Sequence, residues 1–341
     1  MPMNVLVTGG CGYIGSVLVP MLLNRGHHVR VFDKLYFGEE PLRVVRDRVD
    51  LIPGDVRTMN DDILDGIDAV IHLGSLSNDP SADFHPEGTT SINLEGTVHV
   101  AEACKRKGIG RFTFASTCAV YGLILDEIVD ETREAVPQST YAESKLRAEQ
   151  RLHEMADESF CPVVLRQATV FGLSPRMRWD IVLNAFVMHA FRTRTLDVWY
   201  GGEAWRPLVH VRDCAYAHIQ CIESEPSTVC GKTFNVVQDN YQILDLAQRV
   251  KGALGLMGMH VEIDVNRDQV DRRSYRTSGD LIKRELGYSA LVTPEAAVHE
   301  IADALRTGVF TNFDHPAYYN LPWMKLLLDV EDRISKTGPI V

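Results

Sequence analysis

The sequence predicts an α/β protein with a doubly wound parallel sheet, followed by a smaller C-terminal mixed α/β lobe. Three observations support this fold class. Short apolar, β-branched segments alternate with amphipathic helical segments through the first half of the 341-residue chain. A glycine-rich turn separates the first strand from the first helix. After Gly172 the alternation stops and helices mix with loops, which indicates a second lobe.

The predicted elements of the first half follow one another with short connections. Buried strands are predicted at residues 4–8, 29–33, 51–55, 69–73, 111–115 and 163–166. Helices are predicted at residues 15–25 and 93–107, and in the segment that carries Tyr141. Short apolar runs between helices are typical of a parallel sheet that is covered on both faces.

The second half begins with a polar, basic turn at residues 174–178. A helix is predicted at residues 181–192, and short strands at residues 208–211 and 233–237. We expect one domain to comprise residues 1–173, with residues 207–240 rejoining it. The second lobe then comprises residues 174–206 and 241–341.

Composition excludes several classes of protein. The formal net charge of -11 argues against a nucleic-acid partner. The seven cysteines contain no Cys-x-x-Cys pair, which is typical of reduced thiols in a cytoplasmic protein. The N-terminus lacks a signal-peptide pattern, and no apolar run approaches the ~20 residues of a membrane span. The twelve histidines show no metal-ligand spacing, so we expect no metal.

The turn after the first strand has the spacing of a dinucleotide-binding loop. Gly10, Gly12 and Gly15 match G-x-G-x-x-G, and Gly9, Gly12 and Gly15 match G-x-x-G-x-x-G. Glycine is needed because a side chain would block the approach of the backbone to a pyrophosphate. The following helix places its positive N-terminus there. A Rossmann-type sheet is therefore predicted, with a diphosphate held by Gly9, Gly12, Tyr13, Ile14 and Gly15.

Two acids follow the next strands. Asp33 ends the second strand, where its carboxylate would accept hydrogen bonds from ribose hydroxyls and repel a 2′-phosphate. This favours NAD over NADP, although Lys34 weakens the preference. Asp55 and Val56 follow the third strand, where they would contact the adenine; a simple turn aspartate is the alternative.

Tyr141 and Lys145 lie four residues apart at the start of a predicted helix, so both side chains share one face. An ammonium beside a phenol favours the phenolate and lowers the pKa of the phenol. Such a tyrosine is a general base for an alcohol or sugar hydroxyl. The pair arises by chance in many helices, but here the chain also carries a dinucleotide loop.

Taken together, these features resemble the extended short-chain dehydrogenase/reductase family, and within it the NAD-dependent epimerase/dehydratase branch that acts on nucleotide sugars. The resemblance covers nearly the whole chain and rests on several short segments in order. They lie at residues 8–15, 72–75, 93–97, 114–122, 141–145 and 206–211.

The resemblance implies roles for residues in these segments. Thr117 would hydrogen-bond the reacting sugar oxygen, Tyr141 would act as the base, and Lys145 would bind the nicotinamide ribose and tune the tyrosine. Further cofactor contacts would come from Leu73, Gly74, Ser75, Asn93, Ser116 and Gln167. Substrate contacts would come from Ser77, Asn78, Cys118, Thr169, Asn184, Arg206, Arg272 and Arg273. Arginine suits a diphosphate because it binds oxyanions in a bidentate manner.

Two departures from the family pattern narrow the expected reaction. The 4,6-dehydratases carry an Asp-Glu pair after the catalytic threonine, where this chain has Cys118 and Ala119. The 3,5-epimerases carry a cysteine where Ala119 stands. At residues 167–169, Gln-Ala-Thr replaces the Tyr-Phe-Asn that is frequent in 4-epimerases. Cys118 is either an acid or a small buried hydrophobic residue, and the second role is the more common one.

The expected function is epimerisation of a nucleotide-diphosphate sugar, most plausibly at C4, with NAD retained between turnovers. The alternatives are a reductase, dehydratase or decarboxylase on the same scaffold, or a non-catalytic dinucleotide-binding sensor. Residues 93–107 and 141–155 resemble the family's dimerisation helices, so a homodimer is expected, although their apolar side chains could also face the core.

Overall fold

The computed structural model describes residues 1–267 and 274–338. Its largest feature is a seven-stranded, fully parallel sheet in the order β11-β7-β5-β4-β1-β2-β3. The strands of this sheet are β1 (Asn4–Thr8), β2 (His28–Asp33), β3 (Val49–Pro53), β4 (Ala69–His72), β5 (Arg111–Thr117), β7 (Cys161–Gln167) and β11 (Thr233–Val236).

The remaining strands form three small sheets. β8, β10 and β12 make a three-stranded sheet, β9 pairs with β13, and β6 pairs with β14. Their bounds are β6 (Ile128–Val129), β8 (Thr169–Phe171), β9 (Thr195–Val198), β10 (Trp205–His210), β12 (Asp239–Gln242), β13 (Glu262–Val265) and β14 (Arg276–Thr277).

Helices cover both faces of the main sheet and build most of the second lobe. They are α1 (Gly15–Asn24), α2 (Asp79–Phe84), α3 (Pro86–Thr90), α4 (Thr97–Arg106), α5 (Thr140–Met155), α6 (Val182–Thr193), α7 (Val211–Glu223), α8 (Pro226–Val229), α9 (Ile243–Leu256), α10 (Asp280–Leu286), α11 (Pro294–Arg306) and α12 (Asn320–Thr337). None of the helices in this part of the chain is long and apolar enough to cross a membrane.

The predicted fold class is confirmed, because apolar β-branched runs become the central parallel strands. Val5, Leu6 and Val7 of β1 are fully buried, as expected for a strand covered on both faces. The strand order reverses direction between β1 and β4, which pair in parallel with Thr8 opposite His72. At such a switch point the two following loops diverge and leave a crevice at the carboxyl ends of the strands.

The segment predicted as a helix at residues 93–107 is helical, but its first turn is not α-helical. Ser91–Gly96 is a π-helical turn, and α4 begins at Thr97. Two interactions accompany the wider turn. The Asn93 carbonyl accepts a hydrogen bond from the Thr97 hydroxyl, and the Asn93 side-chain amide is bound to the backbone of Leu76. The apolar pattern alone could not reveal this anchoring to a distant loop.

Residues 207–240 divide between the two parts of the structure. β11 joins the edge of the main sheet beside β7, and α7 packs against α1 and β5. By contrast, β10 belongs to the small sheet with β8 and β12. The proposed domain boundaries at residues 173 and 207 stay a prediction.

Two of the seven cysteines, which were expected to be unpaired, lie side by side. Cys161 at the start of β7 and Cys230 before β11 have Cα atoms 4.7 Å apart, a separation that permits a disulfide bond. Their separation of 69 residues in sequence gives no short-range signal for this pairing. The other five cysteines are free and buried.

A buried ionic network lies beneath the middle of α5. The Glu149 side chain is 2% exposed and accepts hydrogen bonds from the Arg166 guanidinium and from the Ser116 hydroxyl. Arg166 also donates to the hydroxyl of Tyr121 at 3.0 Å. Because removal of one partner leaves a buried charge uncompensated, the network makes the packing of α5 on the sheet sensitive to single substitutions.

We therefore expect Glu149→Gln to lower the free energy of unfolding by about 3 kcal/mol, since Arg166 keeps its charge but loses its counter-ion. Urea denaturation followed by circular dichroism measures the change. Glu154→Gln on the same helix is the control, because its ion pair with Arg151 is exposed, and we expect its unfolding curve to match the wild type. Equal stability of both variants would contradict the assigned role of the network.

Candidate active site

The glycine loop after β1 is packed too tightly for side chains. Gly9 has φ +71°, and a Cβ there would lie 2.8 Å from the backbone nitrogen of Gly74. A Cβ on Gly15 would lie 2.5 Å from the Cα of Gly10. The glycine loop therefore lies directly against the loop after β4 on one side and against the start of α1 on the other, and it offers backbone rather than side chains to the crevice.

This crevice opens into a cavity of about 1010 Å³ at the carboxyl ends of the parallel strands. Most of the sequence-predicted site residues line it, although they come from distant parts of the chain. They are Gly9, Gly12, Tyr13, Ile14, Gly15, Asp33, Asp55, Val56, Leu73, Gly74, Ser75, Ser77, Asn78, Ser116, Thr117, Tyr141, Lys145, Gln167, Thr169 and Arg206.

Asp33 is held at one end of the cavity by backbone donors. Its carboxylate accepts hydrogen bonds from the backbone N–H groups of Cys11 at 2.9 Å and Leu35 at 2.7 Å. Burial raises the pKa of Asp33, and the two N–H donors oppose that rise. Because a carboxylate accepts about four hydrogen bonds, the group retains capacity for hydroxyl donors. A ribose fits this chemistry, and a phosphate does not.

The Asp55 carboxylate is bound by two cationic side chains, which the sequence did not indicate. Arg57 donates to both of its carboxylate oxygens, and Lys34 lies 3.3 Å from one of them. These cations, Arg57 first, hold the pKa of Asp55 well below its usual range. Val56 lies beside it on the cavity wall. The glycine cradle, the N-terminus of α1 and the Asp33 carboxylate together fit an adenosine diphosphate moiety.

Tyr141 and Lys145 lie on one face of α5, as their spacing predicts. The helix begins at Ser139, whose hydroxyl accepts from the Ala142 N–H at 3.2 Å. The Thr117 hydroxyl lies close enough to the Tyr141 phenol to counter part of the rise in the pKa of Tyr141. Thr117 is fixed by the end of β5, where it also accepts from the Ala119 N–H at 3.1 Å. The Thr117 and Tyr141 hydroxyls therefore lie together on the cavity wall.

Lys145, which lines the same cavity, is 2% exposed. Its Nζ donates to the Ala115 carbonyl at 2.7 Å and to the Ser75 hydroxyl at 2.9 Å. Burial lowers the pKa of Lys145 to about 7, and Glu149 opposes the shift. An ammonium at this position is therefore poised between its charged and neutral forms near neutral pH.

The expectation that Lys145 lowers the pKa of Tyr141 is wrong for the protein alone. Burial raises the pKa of Tyr141 to about 12, with a further rise from the charge of Asp79. The hydrogen bond from Thr117 and the charge of Arg178 oppose that rise without cancelling it. The reason lies in the burial of the phenol, since desolvation disfavours the charged form more strongly than the nearby groups favour it.

Three predicted contact residues lie away from the cavity lining. Asn93 uses its amide to bind Leu76 and Ser144, so it is a structural anchor. Asn184 is fully buried and bonds the Gly172 N–H through its oxygen. Its nitrogen donates to the hydroxyl of Tyr13.

Cys118 is also fully buried, against the Arg166 carbonyl at 3.1 Å. Burial raises the pKa of the Cys118 thiol to about 12, so it is a small hydrophobic residue rather than an acid. The remaining two predicted contacts, Arg272 and Arg273, lie outside the described residues.

Several residues of the cavity wall were not predicted as site residues. Arg178 donates to Asp180 through two nitrogens and to the Ser77 hydroxyl at 3.3 Å. Arg176 lies two residues before it on the same wall. The basic turn at residues 174–178 was the available signal, but Ser77 and Asn320, which its arginines also contact, are distant in sequence. Others come from Tyr275 and the start of α12, including Tyr319, Asn320, Leu321, Pro322 and Met324.

The loop after β4 is also partly structural. Asn78 has φ +83°, and its side-chain oxygen caps α2 by accepting from the Ser81 N–H at 3.0 Å. Its amide nitrogen donates to Asp180 at 3.2 Å. Asn78 therefore both caps α2 and lines the cavity. Among residues 1–267 and 274–338, no group of three or more His, Cys, Asp or Glu side chains is arranged to hold a metal ion.

Comparison with known proteins agrees with this geometry. A UDP-glucose 4-epimerase of Lacticaseibacillus casei is 31% identical over 274 residues, covering 73% of this chain and 82% of the relative. A UDP-glucuronic acid decarboxylase of Xenopus tropicalis is 26% identical over 279 residues, covering 79% of this chain and 65% of the relative. Relatives of this kind share nucleotide-sugar substrates and differ in reaction.

A solved structure of UDP-glucose-4-epimerase from Stenotrophomonas maltophila, with bound NAD and formylated UDP-arabinopyranose, has the same fold. Its TM-score is 0.80 at 24% identity, over 89% of this chain and 98% of that one. Residues 5–236 match the model of the NAD dependent epimerase/dehydratase family. That match spans the glycine loop, Asp33 and the Tyr141–Lys145 helix, and the chain therefore belongs to the NAD dependent epimerase/dehydratase family.

Proposed function

We propose that this protein epimerises a nucleotide-diphosphate sugar by transient oxidation at C4, with NAD retained between turnovers. The observation that carries the proposal is that Thr117, Tyr141 and buried Lys145 line one cavity together with the glycine loop and Asp33. This arrangement suits a base that works beside a hydride acceptor. The 31% identical relative named as a 4-epimerase supports the choice of reaction.

In this proposal the dinucleotide is held by residues of the first half of the chain. Gly9, Gly12 and the N-terminus of α1 bind the diphosphate, and Asp33 accepts from the adenosine ribose hydroxyls. Lys145 and Ser75, which are hydrogen-bonded to each other, are proposed to bind the second ribose. When bound, NAD supplies a hydride acceptor and a positive charge that favours the phenolate form of Tyr141.

Tyr141 would take the proton from the C4 hydroxyl, and bound NAD would supply the acceptor for the C4 hydride. Thr117 would donate to the same oxygen and fix its direction. After the ketone turns within the cavity, Tyr141 would return the proton to the oxygen, and the reduced cofactor would supply the same hydride to the opposite face of C4. Ser77, Thr169 and Arg206 are proposed substrate contacts, with Arg206 on the substrate diphosphate.

The surroundings of Thr117 favour epimerisation over elimination of water. Elimination requires an acid for the leaving hydroxyl and a base for the C5 proton. Ala119 lines the cavity where such a group would stand in a 4,6-dehydratase, and it has no titratable atom. Cys118 is buried away from the cavity with a raised pKa. We propose in addition that the enzyme is a cytoplasmic homodimer that uses the faces of α4 and α5.

Tyr141→Phe should reduce turnover by at least about a hundredfold, because general-base catalysis is typically worth this factor or more. Affinity for NAD and for the nucleotide sugar should be nearly unchanged, since the ring is retained. Initial rates with a panel of UDP-sugars, together with calorimetric titrations, measure both quantities. Tyr216→Phe, an exposed tyrosine away from the cavity, is the matched control. Unchanged turnover in Tyr141→Phe would remove Tyr141 from the mechanism.

The raised pKa of Tyr141 predicts a pH dependence that can be observed directly. In the nucleotide-free protein Tyr141 should stay protonated up to about pH 11, because its pKa is raised to about 12. Binding of NAD⁺ should lower that pKa, so that phenolate appears at a lower pH. Ultraviolet difference titration of the wild type against Tyr141→Phe isolates this one group. A Tyr141 that ionises near pH 7 without nucleotide would contradict the desolvation argument.

Epimerisation also predicts no net change in the cofactor or in substrate mass. A reductase would consume added NADH, and a decarboxylase or dehydratase would shift the product mass. With UDP-glucose or a related nucleotide sugar we expect constant absorbance at 340 nm, and a product of unchanged mass that separates from its substrate by chromatography. A stoichiometric change in NADH, or loss of carbon dioxide or water, would redirect the proposal to one of those reactions.

A further inference from the structure

Arg176 is a buried cation on the wall of the cavity and makes no ion pair within the described part of the chain. Its side chain belongs to the turn after β8, and the residue is only 5% exposed. One guanidinium nitrogen, Nη2, donates to the Asn320 side-chain oxygen at 2.6 Å. The Nε atom is buried without any hydrogen-bond partner. A buried arginine in this state destabilises the free protein, which indicates a role other than stability.

Two other cations that line the same cavity, unlike Arg176, are paired with carboxylates. Arg178 is paired with Asp180, and Lys34 is paired with Asp55. The carboxylate closest to Arg176 in sequence is thus already occupied by another guanidinium. Desolvation, with the charge of Arg178, lowers the pKa of Arg176 to about 9, so it still carries its charge at neutral pH. The Arg176 guanidinium is therefore available to pair with a negatively charged group of a bound molecule.

The orientation of Arg176 limits what that group can be. Its guanidinium lies 3.6 Å from the centroid of the Phe37 ring, so one face of the ion is covered by an aromatic side chain. A stacked guanidinium presents its N–H groups only in its own plane. This geometry suits the oxygen atoms of a phosphate or carboxylate, which accept in-plane, bidentate hydrogen bonds.

The position of Arg176 favours the cofactor end of the cavity over the sugar end. Two residues earlier, the Ser174 hydroxyl donates to the backbone carbonyl of Tyr13 in the glycine loop at 2.7 Å. Tyr13 lies close enough to influence the charges of both Arg176 and Arg178. Phe37, on its other side, follows Asp33 by four residues.

We infer that Arg176 binds the diphosphate of the dinucleotide cofactor from the wall opposite the N-terminus of α1, and that Phe37 and Asn320 hold it in position. The inference rests on the proposed function, because it requires a dinucleotide in the cavity. It extends the site from the glycine loop to the second lobe, since Asn320 begins α12. Retention of the cofactor then depends on both parts of the structure.

The test uses Arg176→Met in the full-length protein after removal of nucleotide. Methionine keeps an unbranched apolar stem against Phe37 but removes the charge. Calorimetric titration with NAD and with ADP should show affinities at least about tenfold weaker than those of the wild type. Affinity for UDP should change less than twofold. Arg192→Met, an exposed arginine paired with Asp314, is the matched control and should bind all three ligands normally.

Thermal unfolding separates this role from a structural one. Without nucleotide, Arg176→Met should unfold at the same temperature as the wild type or higher, because an uncompensated buried charge is removed. The stabilisation that saturating NAD gives to the wild type should be smaller in the variant. Arg176→Lys, which keeps a charge but not the fork of donors, should bind ADP with intermediate affinity.

Two results would overturn the inference while leaving the proposed function intact. One is wild-type affinity of Arg176→Met for NAD and ADP. The other is a loss confined to UDP, which would move Arg176 to the substrate diphosphate. A wild-type protein that binds neither NAD nor ADP would instead contradict the proposed function itself, so the two failures are distinguishable.

Discussion

The geometry of the site depends on one buried ammonium. Lys145 joins three elements, because its own helix α5 is linked through Nζ to the end of β5 at Ala115 and to the loop after β4 at Ser75. These hydrogen bonds set the rotation of α5 on the sheet. Once that rotation is set, the phenol one helical turn earlier must face the cavity and meet the Thr117 hydroxyl. One helical turn after Lys145, Glu149 attaches the same helix to strand β7 through its ion pair with Arg166.

The protein places its general base in an environment that opposes ionisation. Burial raises the pKa of Tyr141 and lowers the pKa of Lys145, so in the protein alone both groups tend toward their neutral forms. A cationic nicotinamide ring close to the phenol would lower the pKa of Tyr141. In this account the base becomes active only when the oxidised cofactor is present, which couples proton removal to the availability of a hydride acceptor.

Much of the fold could be predicted from the sequence, and so could the side of the cavity that the glycine loop and Asp33 line, because the signals are local. Strands such as β1 and β5 are continuous apolar runs, and the glycine loop requires only the spacing of a few residues. The shared face of Tyr141 and Lys145 could be predicted for the same reason, since one helical turn relates them. The position of Asp33 could be predicted because the end of a strand in a parallel sheet lies at the crevice.

The errors came from side chains whose partners are distant in sequence. Asn93 and Asn184 were assigned to ligands, but each binds backbone and hydroxyl groups from other segments of the chain. Conversely, the contact of Arg176 with Asn320 spans 144 residues, so nothing local marks it. Polarity identifies a residue that needs a hydrogen-bond partner, but only the tertiary structure shows whether the protein already supplies one.

The central claim is that hydride leaves and returns to the same carbon while Tyr141 moves the proton of the neighbouring oxygen. Deuterium at C4 of a nucleotide-sugar substrate tests it most directly, with the product analysed by mass spectrometry and nuclear magnetic resonance. The account predicts an epimer that keeps its deuterium at C4, with none lost to water. Exchange of that label with solvent during turnover would show that C4 is deprotonated rather than oxidised, and would contradict the account.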